Sequence, residues 1–281
     1  MKRDCTPKAY HWIITLFVGC FVLLPAYAEA PRTRIHQMEK RVLAEDIRAE
    51  VTFGRDVAAR IVGSYGLYWH EDLIRYVNLI GRTLGNASNR PEIPYTIGIL
   101  DTDTINAFSA PGGFIFVTRG VIETIDDEAQ LAGIIAHEII HVTQRHILKK
   151  LTIATPGFSP VCVFTQLVGG ASDPARIACV QLVDETIGIL FEKGYDAGDE
   201  AEADTLGAVL AASAGYDPTG LARYLETITR VPRDGLESYT RLYPAIEERI
   251  RSIEATIEKE GLSSGSRRYR LGRNRVIAYR R

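Results

Sequence analysis

Two histidines four residues apart, with a glutamate beside the first, are the residues of this chain best suited to chemistry. On an α-helix His137 and His141 lie about 40° apart around the axis, so both imidazoles can reach one metal ion. Glu138 points off that face, where its carboxylate can take a proton from a metal-bound water molecule. The pattern is typical of hydrolytic zinc sites. The alternative is a chance match on an amphipathic helix, which is disfavoured because three of the six histidines fall between 137 and 146.

A catalytic zinc ion needs a third protein ligand, and an acidic segment downstream offers one. Glu200 and Asp204 are four residues apart on a predicted helix, so they share a face, whereas Glu202 projects to the far side. One carboxylate would bind zinc while the other orients a ligating histidine. An acidic first turn that complements the helix dipole is the alternative explanation.

The elements that must position these residues are mostly helices. The apolar pattern around the histidines predicts a helix from about 127 to 150, with Asp126 or Asp127 as its N-cap. Short β-rich segments bounded by Pro or Gly predict strands at Tyr95–Leu100 and Phe114–Thr118. Further helices are predicted at 34–61 (one or two helices), 71–84, 175–191, 218–230 and 245–260, and one more from the acidic segment through Leu210 to a stop at Gly215. Together they predict an α+β fold with a mainly helical body and a small sheet.

The order of these segments resembles one known family. The stretch from Asn106 to Gly120 precedes the histidine motif, which continues through Val142–His146, and the segments Gly194–Asp204 and Ala214–Pro218 follow. In this order the chain is similar to the HtpX/CAAX-prenyl-protease family of zinc metallopeptidases, over roughly residues 50–255. Within that family it is similar to the soluble periplasmic branch represented by BepA and LoiP.

The resemblance implies a gluzincin-type metallopeptidase domain, with its small sheet beside the active-site helix and one zinc ion per chain. It implies that zinc is bound by His137, His141 and Glu200. It also implies that Glu138 is the catalytic base and that Asp204 orients a ligand.

One position departs from the family in a way that bears on mechanism. Family members often carry His before a Pro, ahead of a Glu-rich, Arg-containing stretch, and the residue here is Tyr243. A phenol can donate a hydrogen bond to a developing oxyanion but is a poor zinc ligand while protonated. Tyr243 is therefore predicted to act on the oxyanion or to contact substrate, and simple packing beside Pro244 is the alternative.

These residues predict an exported zinc-dependent endopeptidase that cleaves unfolded or misassembled envelope proteins. The segment Gly113, Phe114, Ile115 and Phe116 is predicted to bind extended substrate by strand addition, which would keep sequence preference broad. The apolar loop 152–174 is expected to cover the nearby cleft. The competing classes are a non-enzymatic holdase or assembly factor with an occluded zinc site, and a structural zinc domain. A base at Glu138, beside an open coordination position, argues against both.

Composition limits the partners. The net charge of −2 over 281 residues gives no general electrostatic case for binding nucleic acid. The last fifteen residues hold seven arginines and no acid, and a solvated tail or edge strand is favoured over contact with an anionic membrane surface. The expected partners are protein substrates and the envelope assembly machinery.

The N-terminus is typical of a secretory signal. Lys2, Arg3 and Lys8 precede an apolar run, Trp12–Leu24, which is followed by small residues around Ala28. We therefore expect a signal peptide at 1–28, a zinc metallopeptidase domain at 29–260, a basic C-terminal tail at 261–281 and a periplasmic location. An uncleaved membrane anchor is the alternative.

Cysteine usage predicts one disulfide. Cys5 and Cys20 would leave with the leader, so the mature chain would keep Cys162 and Cys179 in a compartment that permits disulfides. We expect these two to pair and to close a loop over the cleft, with two buried thiols as the alternative.

Overall fold

The computed structural model describes residues 31–154, 173–231 and 245–262. Its helices and strands are α1 (Pro31–Tyr65), α2 (Glu71–Ala87), β1 (Thr96–Leu100), β2 (Ala107–Ala110), β3 (Phe114–Thr118), α3 (Arg119–Thr124), α4 (Glu128–Thr143), α5 (His146–Ala154), α6 (Asp173–Gly188), α7 (Ala197–Ser213), α8 (Gly220–Ile228) and α9 (Ile246–Lys259). A 3₁₀ turn, Pro111–Gly113, links β2 to β3, and a π-helical turn, Ile189–Lys193, follows α6. The predicted α+β class, mainly helical with a small sheet, is confirmed.

Contacts divide the chain into two units. In the first, Met1–Glu45, the structure describes the beginning of α1. The second, Asp46–Arg281, contains the sheet, the histidine motif and the acidic segment. Among the described helices, none combines the length and the apolar character needed to cross a bilayer.

The sheet has three strands in the order β1–β3–β2. β1 runs parallel to β3, and β2 runs antiparallel to β3 with Phe108 opposite Phe116. Side chains along β3 alternate between two cores, because successive residues of a strand point to opposite faces. The Ala-Phe-Ser-Ala sequence of β2 carries little strand preference, so the sequence does not predict this strand.

An apolar cluster lies on each face of the sheet. The larger joins the strands to α2, α4, α7 and α8, through residues that include Ile80, Ile115, Leu131, Ile135, Ala203 and Leu225. The smaller joins them to α1, α5 and α6, through residues that include Phe53, Val57, Phe116, Leu151 and Leu182. The sheet thereby fixes the position of α4 relative to the helices on either side.

The central helix, α4, carries the histidine motif. Every residue from Ala129 to Thr143 is buried, because α2, α7, α8 and β2 all pack against it. Its N-cap is Asp127, one of the two residues predicted for that position. Asp127 Oδ1 accepts a hydrogen bond from the backbone N–H of Gln130 at 2.9 Å.

The single helix predicted for 127–150 is wrong at its C-terminal end. The chain leaves α4 after Thr143 and begins α5 at His146. Between them Arg145 has a left-handed backbone, with φ of 56°. Such a conformation costs roughly 1–2 kcal/mol for a residue with a side chain, so local propensity does not predict the break.

Candidate metal centre

The histidine motif and the acidic segment meet where α7 crosses α4. The close approach is made at Gly207, since a Cβ placed there would lie 3.2 Å from the backbone N and Cα of His137. One and two turns before Gly207 on α7 are Asp204 and Glu200, both fully buried. The contact therefore directs two carboxylates of α7 at the imidazoles of α4.

Three of the predicted residues converge on one point. The ligand atoms of His137, His141 and Glu200 all lie within 4.8 Å of one another. The two Nε2 atoms are 3.0 Å apart, and Glu200 oxygens lie 3.5 Å from His137 Nε2 and 3.6 Å from His141 Nε2. Ligand atoms around a tetrahedral zinc ion are separated by about 3.4 Å, given zinc–ligand distances near 2.1 Å. The donor set and its spacing fit a zinc ion.

The surroundings of Glu200 also favour a cation. The carboxylate is fully buried, and neither oxygen has a hydrogen-bond partner among the described residues. The nearest guanidinium nitrogen, on Arg249, is 3.7 Å from Glu200 Oε2, which is beyond hydrogen-bond distance. A buried charge of this kind is costly unless a partner offsets it.

The buried ion pair of Asp204 and Arg249 lies on the Nδ1 side of the His137 imidazole. Asp204 Oδ1 lies 3.0 Å from His137 Nδ1. Both oxygens of Asp204 also accept hydrogen bonds from Arg249, at 2.8 Å from Nε and 2.7 Å from Nη2. A bidentate arginine–carboxylate pair is a strong, charge-assisted interaction. Arg249, on α9, therefore holds Asp204 in place, and Asp204 in turn orients the His137 imidazole.

Protonation of the two histidines is unequal. Burial opposes a charge on His137, but the carboxylates of Asp204 and Glu200 outweigh it and raise its pKa to about 10. Burial and the neighbouring charge of His137 lower the pKa of His141 well below its usual value. Burial opposes ionisation of Asp204, but Arg249 outweighs it and lowers the pKa to about 2. The site thus favours positive charge beside Glu200.

Glu138 lies beside the metal cluster but is not part of it. It is 4% exposed, and burial raises its pKa to about 7. Together with His141 and Glu200 it lines a small cavity that also contacts Ala107 and Tyr195. A carboxylate poised near neutral pH at this position can accept a proton from an attacking water molecule.

Some predicted residues lie elsewhere or outside the described ranges. Glu202 is not one of the three clustered ligand residues, and its Oε2 lies 3.0 Å from His146 Nε2. Tyr243 and Cys162 fall outside the described residues, as does most of the loop 152–174. Cys179 is half-buried on α6 and forms no disulfide with any described residue.

The prediction that β3 binds substrate is wrong. β3, which contains Phe114, Ile115 and Phe116 and follows Gly113, is the central strand, hydrogen-bonded to β1 on one side and β2 on the other. Its backbone groups are therefore already paired. β2 pairs with β3 and is the strand that lies beside α4.

Sequence reasoning missed three residues that contact the site. Arg249 braces Asp204, His146 contacts His141, and the Tyr195 ring stacks on His141 with centroids 4.0 Å apart. The signal for Arg249 was its place in the Glu-rich, Arg-containing stretch of α9. His146 and Tyr195 lie in segments that resemble the family, but no local pattern predicts their contact with His141, because turns and tertiary packing bring them there.

The comparison with known families decides where this fold and site belong. Residues 73–257 match the profile described as Peptidase family M48. The chain belongs to peptidase family M48. The predicted resemblance to zinc metallopeptidases of this type is confirmed, and the matched range contains the whole metal cluster.

Individual relatives agree with the family. The chain is 27% identical to the beta-barrel assembly-enhancing protease of Escherichia coli (strain K12) over 209 residues, 73% of this chain and 42% of that protein. It is 26% identical to the mitochondrial metalloendopeptidase OMA1 of Arabidopsis thaliana over 171 residues, 60% of this chain and 33% of that protein. The chain thus matches less than half the length of these two relatives.

Proposed function

We propose that this protein is a zinc-dependent endopeptidase with one zinc ion per chain. The observation that carries the proposal is the convergence of His137, His141 and Glu200 on one point beside a buried Glu138, within a chain of family M48. His137, His141 and Glu200 would hold the metal. When bound, zinc supplies a Lewis acid for the scissile carbonyl and lowers the pKa of a water molecule to about 7.

The chain's own residues would move and hold protons. Glu138 takes a proton from the attacking water at a carboxylate oxygen and delivers it to the leaving amine. Asp204, whose Oδ1 lies 3.0 Å from His137 Nδ1, would orient that imidazole so that Nε2 faces the metal. Arg249 keeps Asp204 ionised and in place. Tyr243 is a candidate donor to the developing oxyanion.

Substrate would bind beside β2, next to the metal cluster. An extended peptide there would run beside α4, where Ala107 shares one cavity with His137 and Glu138 and a second with Glu138 and His141. An extended peptide held mainly through its backbone depends little on its side chains, so broad sequence preference follows. Extended segments are offered by unfolded or misassembled proteins rather than by compact ones.

The setting we propose is the bacterial envelope. The leader pattern supports export to the periplasm, and the name of one relative, beta-barrel assembly-enhancing protease, supports a substrate or partner in envelope assembly. The basic C-terminal segment would be the part able to contact an anionic membrane surface.

A casein digestion assay tests the activity. The full chain should cleave casein, a chelator should abolish cleavage, and added zinc should restore it. A holdase or assembly factor with an occluded site would bind unfolded protein without cleaving it under any of these conditions. The tight burial of the site, with His137, Glu138 and His141 exposed by 4%, 4% and 3%, makes that outcome a real alternative.

A further inference from the structure

His146 is a fully buried polar residue that connects the metal cluster to the protein surface. Its Nδ1 lies 2.8 Å from Nδ1 of His141. Its Nε2 lies 3.0 Å from Oε2 of Glu202, whose side chain is 41% exposed. The three side chains therefore form a continuous hydrogen-bonded chain, from the inner face of His141 to solvent.

The turn between α4 and α5 is what places His146 there. In a continuous helix, residues five apart are about 140° apart around the axis and do not meet. The left-handed backbone of Arg145 reverses the chain and returns His146 onto His141. Ion pairs from Arg145 to Asp46 and Glu50 stabilise this conformation. The strained backbone of Arg145 is thus held in place by one buried and one half-buried carboxylate. Backbone strain that is kept at a functional site indicates a specific role, which we assign to the next residue, His146.

When His141 and His146 are both neutral, the geometry allows one arrangement of their ring protons. Nε2 of His141 faces Nε2 of His137 and the Glu200 carboxylate, so Nε2 is the atom directed at the metal. A neutral imidazole that offers Nε2 to a metal carries its proton on Nδ1 and donates it. His146 must then accept at its own Nδ1 and carry its proton on Nε2, from which it donates to Glu202.

We propose that His146 and Glu202 are positioning residues that orient His141 and fix its metal-binding tautomer. The inference rests on the proposed role of His141 as a zinc ligand. His137 has a buried carboxylate, Asp204, 3.0 Å from its Nδ1, whereas His141 is linked through a second imidazole to a carboxylate at the surface. The Tyr195 ring, stacked on His141 at 14°, limits the remaining freedom of that imidazole to tilt.

Zinc affinity of the full chain, measured by competition with a chelator, tests the proposal without relying on activity. His146→Leu removes the acceptor for His141 and should weaken zinc binding roughly 10- to 100-fold, as is typical for loss of a partner behind a metal ligand. His146→Asn offers an amide oxygen near the position of Nδ1 and should restore part of the affinity. Glu202→Gln keeps an acceptor but removes the charge, so it should cause a smaller loss.

Asp199→Asn is the matched control. This carboxylate lies on the same helix, but its Oδ1 is 3.7 Å from His146 Nε2, beyond hydrogen-bond distance, so zinc affinity should not change. Thermal unfolding of the metal-free variants reports packing separately. Glu202 is partly exposed, so Glu202→Gln should fold normally and remains informative if His146→Leu does not fold.

The outcomes separate the inference from the proposed function. Zinc affinity that is unchanged in both His146→Leu and Glu202→Gln would overturn the positioning role while leaving the zinc site intact. A loss in Asp199→Asn equal to that in Glu202→Gln would also overturn it, because the effect would then reflect general charge. If the unaltered chain bound no zinc at all, the proposed function would fail and the inference with it.

Discussion

At the scale of single residues, the site is defined by how its buried charges are matched. Asp204 is offset by Arg249, through two hydrogen bonds. Glu200 has no equivalent hydrogen-bonded partner among the described residues, although it is equally buried. A metal cation bound where Glu200 meets His137 and His141 would offset the buried negative charge of Glu200. The donor set therefore favours a zinc site over a pocket that binds no metal.

The assignment of the third ligand can be tested by comparing two neighbouring carboxylates. Glu200→Gln should weaken zinc binding far more than Glu202→Gln, because Glu200 supplies a ligand atom whereas Glu202 acts through His146. Chelator competition on both variants, with circular dichroism as a check on folding, measures the difference. The opposite order would mean that the ligand-bearing face of α7 has been misassigned.

The role of Tyr243 is a second prediction at this scale. Tyr243→Phe should lower kcat by about 10²–10³-fold with zinc content and fold retained, because loss of one oxyanion donor has that effect. Unchanged kcat would favour simple packing beside Pro244. Tyr195→Phe is the comparison variant, since its hydroxyl is buried in the same cavity as Glu138 without a described hydrogen-bond partner. A loss confined to Tyr195→Phe would contradict the assignment of Tyr243.

Residues could be predicted where their positions repeat within one helix. His137, Glu138 and His141 follow from spacing on α4, and Glu200 with Asp204 follow from spacing on α7. Arg249 and His146 could not be placed in the same way. The first depends on how α9 packs on α7, and the second on a left-handed turn that no local pattern favours.

At the scale of elements, the N-terminus of α4 is a point where helix stability and charge are coupled. Asp127 caps the helix through Gln130 and forms an ion pair with Arg223, whose Nη1 is 2.6 Å from Oδ2. Burial opposes ionisation of Asp127, but these contacts outweigh it and lower its pKa below the ordinary value of 3.8. A carboxylate with a lowered pKa stabilises the fold above its unfolded-state pKa and loses that effect as pH falls through the folded-state value.

We therefore predict a pH-dependent cost for Asp127→Asn. The variant keeps a capping oxygen but cannot ionise, so it should be less stable than the unaltered chain by a constant amount between pH 7 and about 5. The difference should begin to shrink below about pH 4, where the carboxyl of the unfolded chain takes up a proton, and should be lost as pH falls through the lower folded-state pKa. Asp127→Ala also removes the cap and should cost roughly 0.5–2 kcal/mol at neutral pH. Urea unfolding from pH 3 to 7 measures both, and a difference that stays constant down to pH 3 would contradict the coupling.

Strands were harder to predict than helices, for a physical reason. β1 and β3 are rich in β-branched and aromatic residues and follow from pattern. β2 is short and rich in small residues, and it forms only because β3 and α4 lie on either side of it. The error over the substrate strand followed directly, since without β2 the sequence leaves β3 as the strand nearest the active-site helix.

At the scale of the whole molecule, the predicted disulfide links chemistry to cellular location. A Cys162–Cys179 bridge would form only in an oxidising compartment such as the periplasm. It would close a loop whose length corresponds to roughly 3 kcal/mol of stabilisation in the chain-entropy treatment. The mature chain should therefore show a lower free energy of unfolding when reduced, and Cys179→Ser should reproduce that loss without reductant. Mass spectrometry of the unreduced mature protein finding two free thiols would contradict the bridge.

The most direct test of the zinc-peptidase account is the Glu138→Gln variant of the full chain, measured for both zinc content and casein cleavage. Glu138 would supply the base and not a metal ligand, so the variant should retain one zinc ion per chain while casein cleavage is lost. Loss of zinc from the variant would reassign Glu138 to the metal. Retained zinc with undiminished cleavage would contradict the account.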